Sequence, residues 1–207
     1  MSKRPSSRRW LKEHSSDPYV KLARQAGFRS RSAFKLLELN ERDRILKPGR
    51  IVVDLGAAPG GWSQVAVAAV GPQGRVIAVD RLPVEPLEHV TFIRGDVRED
   101  AVVQSLLDVL DGKKADLVLS DMAPNISGMK AVDQARMIHL GERVMACAIR
   151  VLRPGGDLLV KAFQGEGFDA YVRQLRQFFE KVYTRKPHAS RGRSAEVYIT
   201  ARGFYGV

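Results

Sequence analysis

One cysteine in 207 residues leaves no possibility of an intramolecular disulfide, so a packed core must hold the fold together. That residue, Cys147, falls in the helical run 143–151 and reads as a small buried side chain. The four histidines, His14, His89, His139 and His188, are scattered without metal-ligand spacing, so no metal is expected. Long apolar runs are missing too. The longest runs, such as Val65 to Val70, are far below the roughly 20 residues that cross a bilayer. The chain opens Met1-Ser2-Lys3-Arg4-Pro5 with no apolar segment behind it, so no secretory signal is expected. These absences point to a cytoplasmic, metal-free protein, with monomer as the default.

Acidic residues are scarce at the two ends. Residues 1–50 hold 14 Lys/Arg against 5 Asp/Glu, and residues 181–207 hold 6 against 1, while the whole chain carries +11. The 130 residues between therefore sum to −3. A nearly neutral body with basic ends suits a polyanionic partner, RNA or DNA. Acidic lipid fits less well, because the basic segments lack the broad apolar face of an interfacial helix.

With an apolar fraction of 44%, the chain is long enough for one α/β domain. Asp17-Pro18 is an N-cap and first-turn pair that opens a helix through Ala26, closed by Gly27. Ser30 or Ser32 starts a second helix whose apolar side is Ala33, Leu36, Leu37 and Leu39, with Lys35 off that stripe. Strands and helices then alternate. Strands are expected at 51–55, 75–80, 90–94, 116–120 and 157–163, and helices from Trp62, at 102–110, at 133–152 and to about 179. Two closing strands, 182–185 and 196–201, are joined by a basic loop. Alternation predicts a mainly parallel sheet covered on both faces, and the closing pair predicts one antiparallel strand at the edge.

The stretch Val53-Asp54-Leu55-Gly56-Ala57-Ala58-Pro59-Gly60-Gly61-Trp62 reads as a buried strand, a tight turn and a helix start, the place where such sheets bind adenosine-type cofactors. Its lettering is G-x-x-x-G-G, so the dinucleotide fingerprint G-x-G-x-x-G is only loosely met. Asp54 beside the loop suits a cationic ligand better than a pyrophosphate. Three more acids, Asp80, Asp96 and Asp121, fall at strand ends and should converge on one crevice. Asp80 is placed for a ribose diol. Asp96, followed by Val97, is placed for an exocyclic adenine amine.

This first motif resembles that of S-adenosyl-L-methionine-dependent methyltransferases. With Lys35, Asp121, Lys161 and Glu196, the chain resembles over its whole length the ribosomal RNA 2′-O-ribose methyltransferases of the FtsJ/RrmJ family. The resemblance implies a Rossmann-like class I domain with a seven-stranded sheet over residues 49–207, and residues 1–48 as a basic appendage with two helices. It implies Lys35, Asp121, Lys161 and Glu196 as the catalytic tetrad. It implies Asp54, Gly56, Pro59, Gly60, Trp62, Asp80, Asp96, Val97 and Asp121 as the cofactor site. The implied activity is methylation of a uridine ribose in large-subunit (23S) ribosomal RNA, within the ribosomal subunit. Other RNA such as tRNA, a non-catalytic ribosome-assembly role and a nicotinamide-dependent enzyme remain alternatives.

The tetrad also makes chemical sense. A ribose hydroxyl is a poor nucleophile and needs help to lose or shield its proton. Lys161, at the end of an apolar strand, is the candidate helper; burial and a second cation, Lys35, favour the neutral amine, while Asp121 and Glu196 oppose it. Arg8, Arg9, Lys12, Arg29, Arg31 and the segment Lys181–Arg193 are candidate phosphate contacts.

Overall fold

The computed structural model describes residues 17–192 and 194–206. Arg8, Arg9, Lys12 and Arg193 lie outside them. Asp17 caps helix α1 (Pro18–Gln25), its carboxylate accepting from the Tyr19 amide at 3.0 Å. Helix α2 (Ala33–Asp43) precedes strand β1 (Ile51–Leu55). Then follow α3 (Gly61–Val70), β2 (Arg75–Asp80), β3 (Val90–Arg94), α4 (Asp100–Leu110), β4 (Ala115–Ser120), α5 (Lys130–Val151), β5 (Leu152–Phe163), α6 (Phe168–Phe178), β6 (Phe179–Arg185) and β7 (Glu196–Phe204).

The seven strands form one sheet in the order β3-β2-β1-β4-β5-β7-β6. Strands β1 to β5 pair in parallel, and β7 runs antiparallel to both β5 and β6. The antiparallel strand thus lies one place in from the edge, and β6 occupies the edge itself. β7 can return beside β5 without a helical crossover because the chain has already passed outward along α6 and β6. β5 begins at Leu152, paired with Ala115, five residues ahead of the strand expected from the Pro154-Gly155-Gly156 stop. The pairing absorbs those residues through a register shift between Ala115 and Leu117.

Side chains alternate along each strand, so the sheet buries two separate sets. Val53, Leu55, Ile77, Val79, Val118, Leu158, Val160, Val197 and Ile199 pack under α4, α5 and α6 together with Leu106, Leu110, Val144, Cys147 and Leu175. Val52, Val76, Leu117, Leu119, Leu159 and Tyr198 pack under α2 and α3 with Leu36, Leu39, Trp62 and Val65. Each fully buried Val or Leu contributes about 1.5–3 kcal/mol, so both faces are well anchored. Residues 33–46, grouped by sequence with the N-terminal segment, supply Leu36, Leu39, Ile45 and Leu46 to this second core. The apolar stripe expected on α2 needs a correction. Leu37 is 39% exposed and Lys35 only 8%, because Lys35 faces the start of β7 rather than solvent.

Candidate active site

Parity decides which polar residues meet. Asp54 follows Val52 by two on β1, Lys161 follows Leu159 by two on β5, and Tyr198 and Glu196 share a face of β7. All therefore belong to the sheet face covered by α2 and α3. β7 is antiparallel, so its first residues lie beside the last of β5, with Lys161 opposite Tyr198 and Phe163 opposite Glu196. Asp121 follows directly after β4, the other neighbour of β5. Four residues spread over 162 positions of chain are brought together by this arrangement.

The Lys161 ammonium lies 2.7 Å from Asp121 Oδ1, donates to the Asp121 carbonyl oxygen at 2.7 Å, and stands 3.6 Å from Glu196 Oε2. Lys35 Nζ donates to Glu196 Oε1 at 2.6 Å and to the Tyr198 hydroxyl at 3.2 Å. Tyr198 in turn donates to Asp121 Oδ1 at 2.5 Å. Lys161 is 7% exposed and Tyr198 fully buried. Burial pushes the Glu196 carboxyl up, but the Lys161 and Lys35 ammonium groups outweigh it, and the net shift is downward. Glu196 is thus held as an anion between two cations. Burial raises the Tyr198 hydroxyl well above its usual range, with Asp121 and Glu196 adding to the shift, so it stays protonated and able to donate.

Two contributors were not singled out by sequence. Ser190 Oγ donates to Glu196 Oε1 at 2.8 Å, from a loop that α2 grips through Glu38, whose two oxygens accept from the His188 and Ala189 amides at 2.6 and 2.9 Å. Nothing in the sequence marked that clasp. Tyr198 did carry a signal, since it lies two residues past Glu196 and must share its face.

Beside this cluster, at the carboxyl ends of β1, β2 and β4, opens a cleft of about 1010 Å³. Gly56, Asp80, Asp96, Val97 and Asp121 line it, with Ala58, Met122, Arg98 and residues of α5. Gly56 has a positive φ of 79°, and a Cβ there would collide with Met122, so this turn requires glycine. Asp80 accepts from the Ala58 and Leu82 amides at 2.9 and 2.8 Å, one bond on each oxygen, which leaves acceptor capacity on both. The Arg98 side chain holds Asp96 through bonds of 2.6 to 3.1 Å and lowers its carboxyl to about 2. Asp96 therefore faces the cleft as an anion with Arg98 occupying much of its acceptor capacity.

Asp54 is only 1% exposed. Burial raises its carboxyl to about 7 against the opposing bond from Ser63 Oγ at 2.6 Å, and the charges of Asp121 and Asp80 raise it further. Its Oδ1 is buried without a hydrogen-bond partner. Trp62, Pro59 and Gly60 stand differently. The Trp62 indole is buried, donates to the Ser32 carbonyl at 2.8 Å and packs on Tyr198 at 5.7 Å between ring centroids. Gly60 abuts Arg29 and Val84. The Pro59 carbonyl accepts from Arg29 at 3.4 Å.

Two expected phosphate contacts are committed elsewhere. Arg29 donates to the Glu85 and Pro86 carbonyls at 2.6 and 2.9 Å and braces the loop after β2. Arg31 pairs with Asp17 at 2.8 Å and donates to the Ala189 carbonyl. In the basic 181–193 segment, Arg185 makes a bidentate pair with Asp43, and Lys186 donates to the Ser194 carbonyl. Sequence charge alone could not tell which of these cations hold partners within the chain.

A model of the FtsJ-like methyltransferase family matches residues 28–204. The chain is 56% identical, over the full length of both, to a Pseudomonas aeruginosa protein named ribosomal RNA large subunit methyltransferase E. It is 58% identical to a protein of the same name from Alkalilimnicola ehrlichii, covering 98% of this chain and 97% of the relative. A solved Plasmodium falciparum chain assigned as a ribosomal RNA methyltransferase superposes with a TM-score of 0.80 at 29% identity, covering 87% of this chain and all of that one. The fold, the cleft at its strand ends and matches of this extent agree: the chain belongs to the FtsJ-like methyltransferase family.

Proposed function

We propose that this protein transfers a methyl group from S-adenosyl-L-methionine to the 2′-hydroxyl of a uridine ribose in the 23S RNA of the large ribosomal subunit. The observation that carries the reading is the joined set Lys35–Glu196–Lys161–Asp121 beside a cleft lined by acids. The relatives' names support a large-subunit ribosomal RNA substrate.

The cleft residues fit the cofactor. Asp80 retains acceptor capacity on both oxygens for a ribose diol, and Asp96 and Val97 flank a position suited to adenine. Asp54, with its unpartnered buried oxygen near Asp80 and Asp121, suits a cationic group. The cofactor supplies an electrophilic methyl on a sulfonium.

The protein's own task is to hold the ribose hydroxyl in line and manage its proton. Lys161 has three N–H positions, and Asp121 takes two through its carbonyl and Oδ1. The third is available to the substrate oxygen: as an N–H it would orient the hydroxyl, and as the lone pair of the neutral amine it would take up the hydroxyl proton as the oxygen is methylated. Glu196, anionic and 3.6 Å away, can balance changes of charge on that amine. Orientation of this kind and proton management each lower the barrier, the latter typically by about 10²–10⁴-fold in rate.

The test uses cofactor labelled in its methyl group, the protein and large ribosomal subunits from cells lacking the activity, followed by alkaline hydrolysis of the RNA. A methylated 2′-oxygen cannot attack the adjacent phosphodiester, so label should appear in alkali-resistant dinucleotides. Label released as ordinary mononucleotides would refute the assignment.

A further inference from the structure

We infer that Tyr198 is a positioning residue that couples the Lys35–Glu196 pair to the Lys161–Asp121 pair. The inference rests on the reaction proposed above. Tyr198 lies outside the tetrad, yet its hydroxyl stands at the centre of the cluster. It accepts from Lys35 at 3.2 Å and donates to Asp121 Oδ1 at 2.5 Å, the same oxygen that receives Lys161 at 2.7 Å. A chain of contacts therefore runs from Glu196 through Lys35, Tyr198 and Asp121 to Lys161. A second route exists through Glu196 alone, but its contact with Lys161 is 3.6 Å.

The molecule supplies its own comparison. Tyr171 is as deeply buried as Tyr198, and burial raises both hydroxyls. Tyr171 donates to the Gly141 backbone carbonyl at 2.8 Å, the ordinary way to satisfy a buried phenol between two helices. Tyr198 donates instead to the carboxylate that anchors the reacting lysine. Its ring is locked by Trp62 on one side and lies 5.7 Å from the Lys35 ammonium. With the ring fixed, the hydroxyl sets the rotamer of Asp121 and hence where Lys161 points. A cation donating to a phenol makes it a stronger donor, so Lys35 reaches Asp121 through Tyr198 without touching it. Full burial prevents the Tyr198 ring from stacking on an incoming base.

The experiment compares wild type with Tyr198→Phe, Tyr171→Phe, Lys35→Met and the double variant Lys35→Met/Tyr198→Phe. Methyl transfer to large subunits is assayed below every melting temperature, and S-adenosylhomocysteine titration counts the folded sites. Tyr198→Phe keeps the ring and removes only the hydroxyl. It should lower kcat at least tenfold while KM for both substrates stays within about twofold, and Tyr171→Phe should leave kcat unchanged. The double variant should be no slower than the slower single variant, because both substitutions break one chain of contacts. A wild-type kcat for Tyr198→Phe, or losses that multiply in the double variant, would overturn the inference. If Tyr198→Phe does not fold, Lys35→Met decides. A loss in kcat without a rise in KM supports the coupling, and an unchanged kcat overturns it. Failure of wild type to form any 2′-O-methyl product would instead remove the proposed function, so the two failures are distinguishable.

Discussion

The two faces of the sheet are made by alternate residues of the same strands, yet they do different work. Under α4, α5 and α6 the buried set is Val, Leu, Ile and Ala with a few aromatics and Cys147, whose thiol burial pushes up to about 12. Under α2 and α3 the apolar residues are interrupted toward the carboxyl ends of the parallel strands by Asp54, Lys161 and Tyr198. A residue shifted by one along β5 would exchange Lys161 for a core valine, Val160. The first face therefore supplies cohesion. The second trades part of its apolar packing for ionisable groups, with Lys35, Lys161 and Glu196 held by charged partners and one oxygen of Asp54 left without one.

The sharpest way to break this comparison is Lys161→Ala, which should reduce methyl transfer by about 10²–10⁴-fold. Glu196 remains paired with Lys35 in that variant, so the fold should persist in circular dichroism. On the other face, Leu106→Ala should cost about 2–5 kcal/mol in denaturant unfolding, with kcat near wild type below the transition. Comparable activity losses from both substitutions would erase the distinction between the faces.

Asp54 sharpens it further through pH. Its carboxyl is raised from 3.8 to about 7, chiefly by burial, so folding favours the protonated form. The stability it contributes is complete below about pH 4 and lost as pH rises to 7. Asp54→Asn, which resembles the protonated group, should therefore gain on the ligand-free wild type between pH 4 and 8, by on the order of a few kcal/mol. Thermal melts of both proteins across that range check the sign; a difference independent of pH would contradict it. The smallest effect is expected at Glu38→Gln, which weakens the clasp on the His188 and Ala189 amides by about 1 kcal/mol. Faster hydrogen exchange at those two amides, with a modest fall in kcat from a looser Ser190–Glu196 contact, is the expected outcome.

Particular residues show how far the sequence could be read. The strand limits 75–80 and 90–94 coincide with β2 and β3, because Gly and Pro punctuate them and their apolar runs are short. The start of β5 was hidden, since Pro154-Gly155-Gly156 signals a break that tertiary pairing overrides. Periodicity set Lys35 off the apolar stripe of its helix, yet it is buried, because helix periodicity says nothing about what the far side of a helix meets. Arg29 and Arg31 read as phosphate contacts, and the structure shows in addition that each braces another segment of the chain, a role that local charge does not reveal.

The chain's own letters determined the order of strands and helices, the Gly56 turn and the acids at strand ends, because these depend on local steric limits and short-range periodicity. Only the tertiary structure decided that Lys35, Asp121, Lys161 and Glu196 close around the Tyr198 hydroxyl, and which arginines serve as struts. Those outcomes depend on the antiparallel course of β7 beside β5 and on the seating of α2 over it, long-range pairings that no local run of residues encodes.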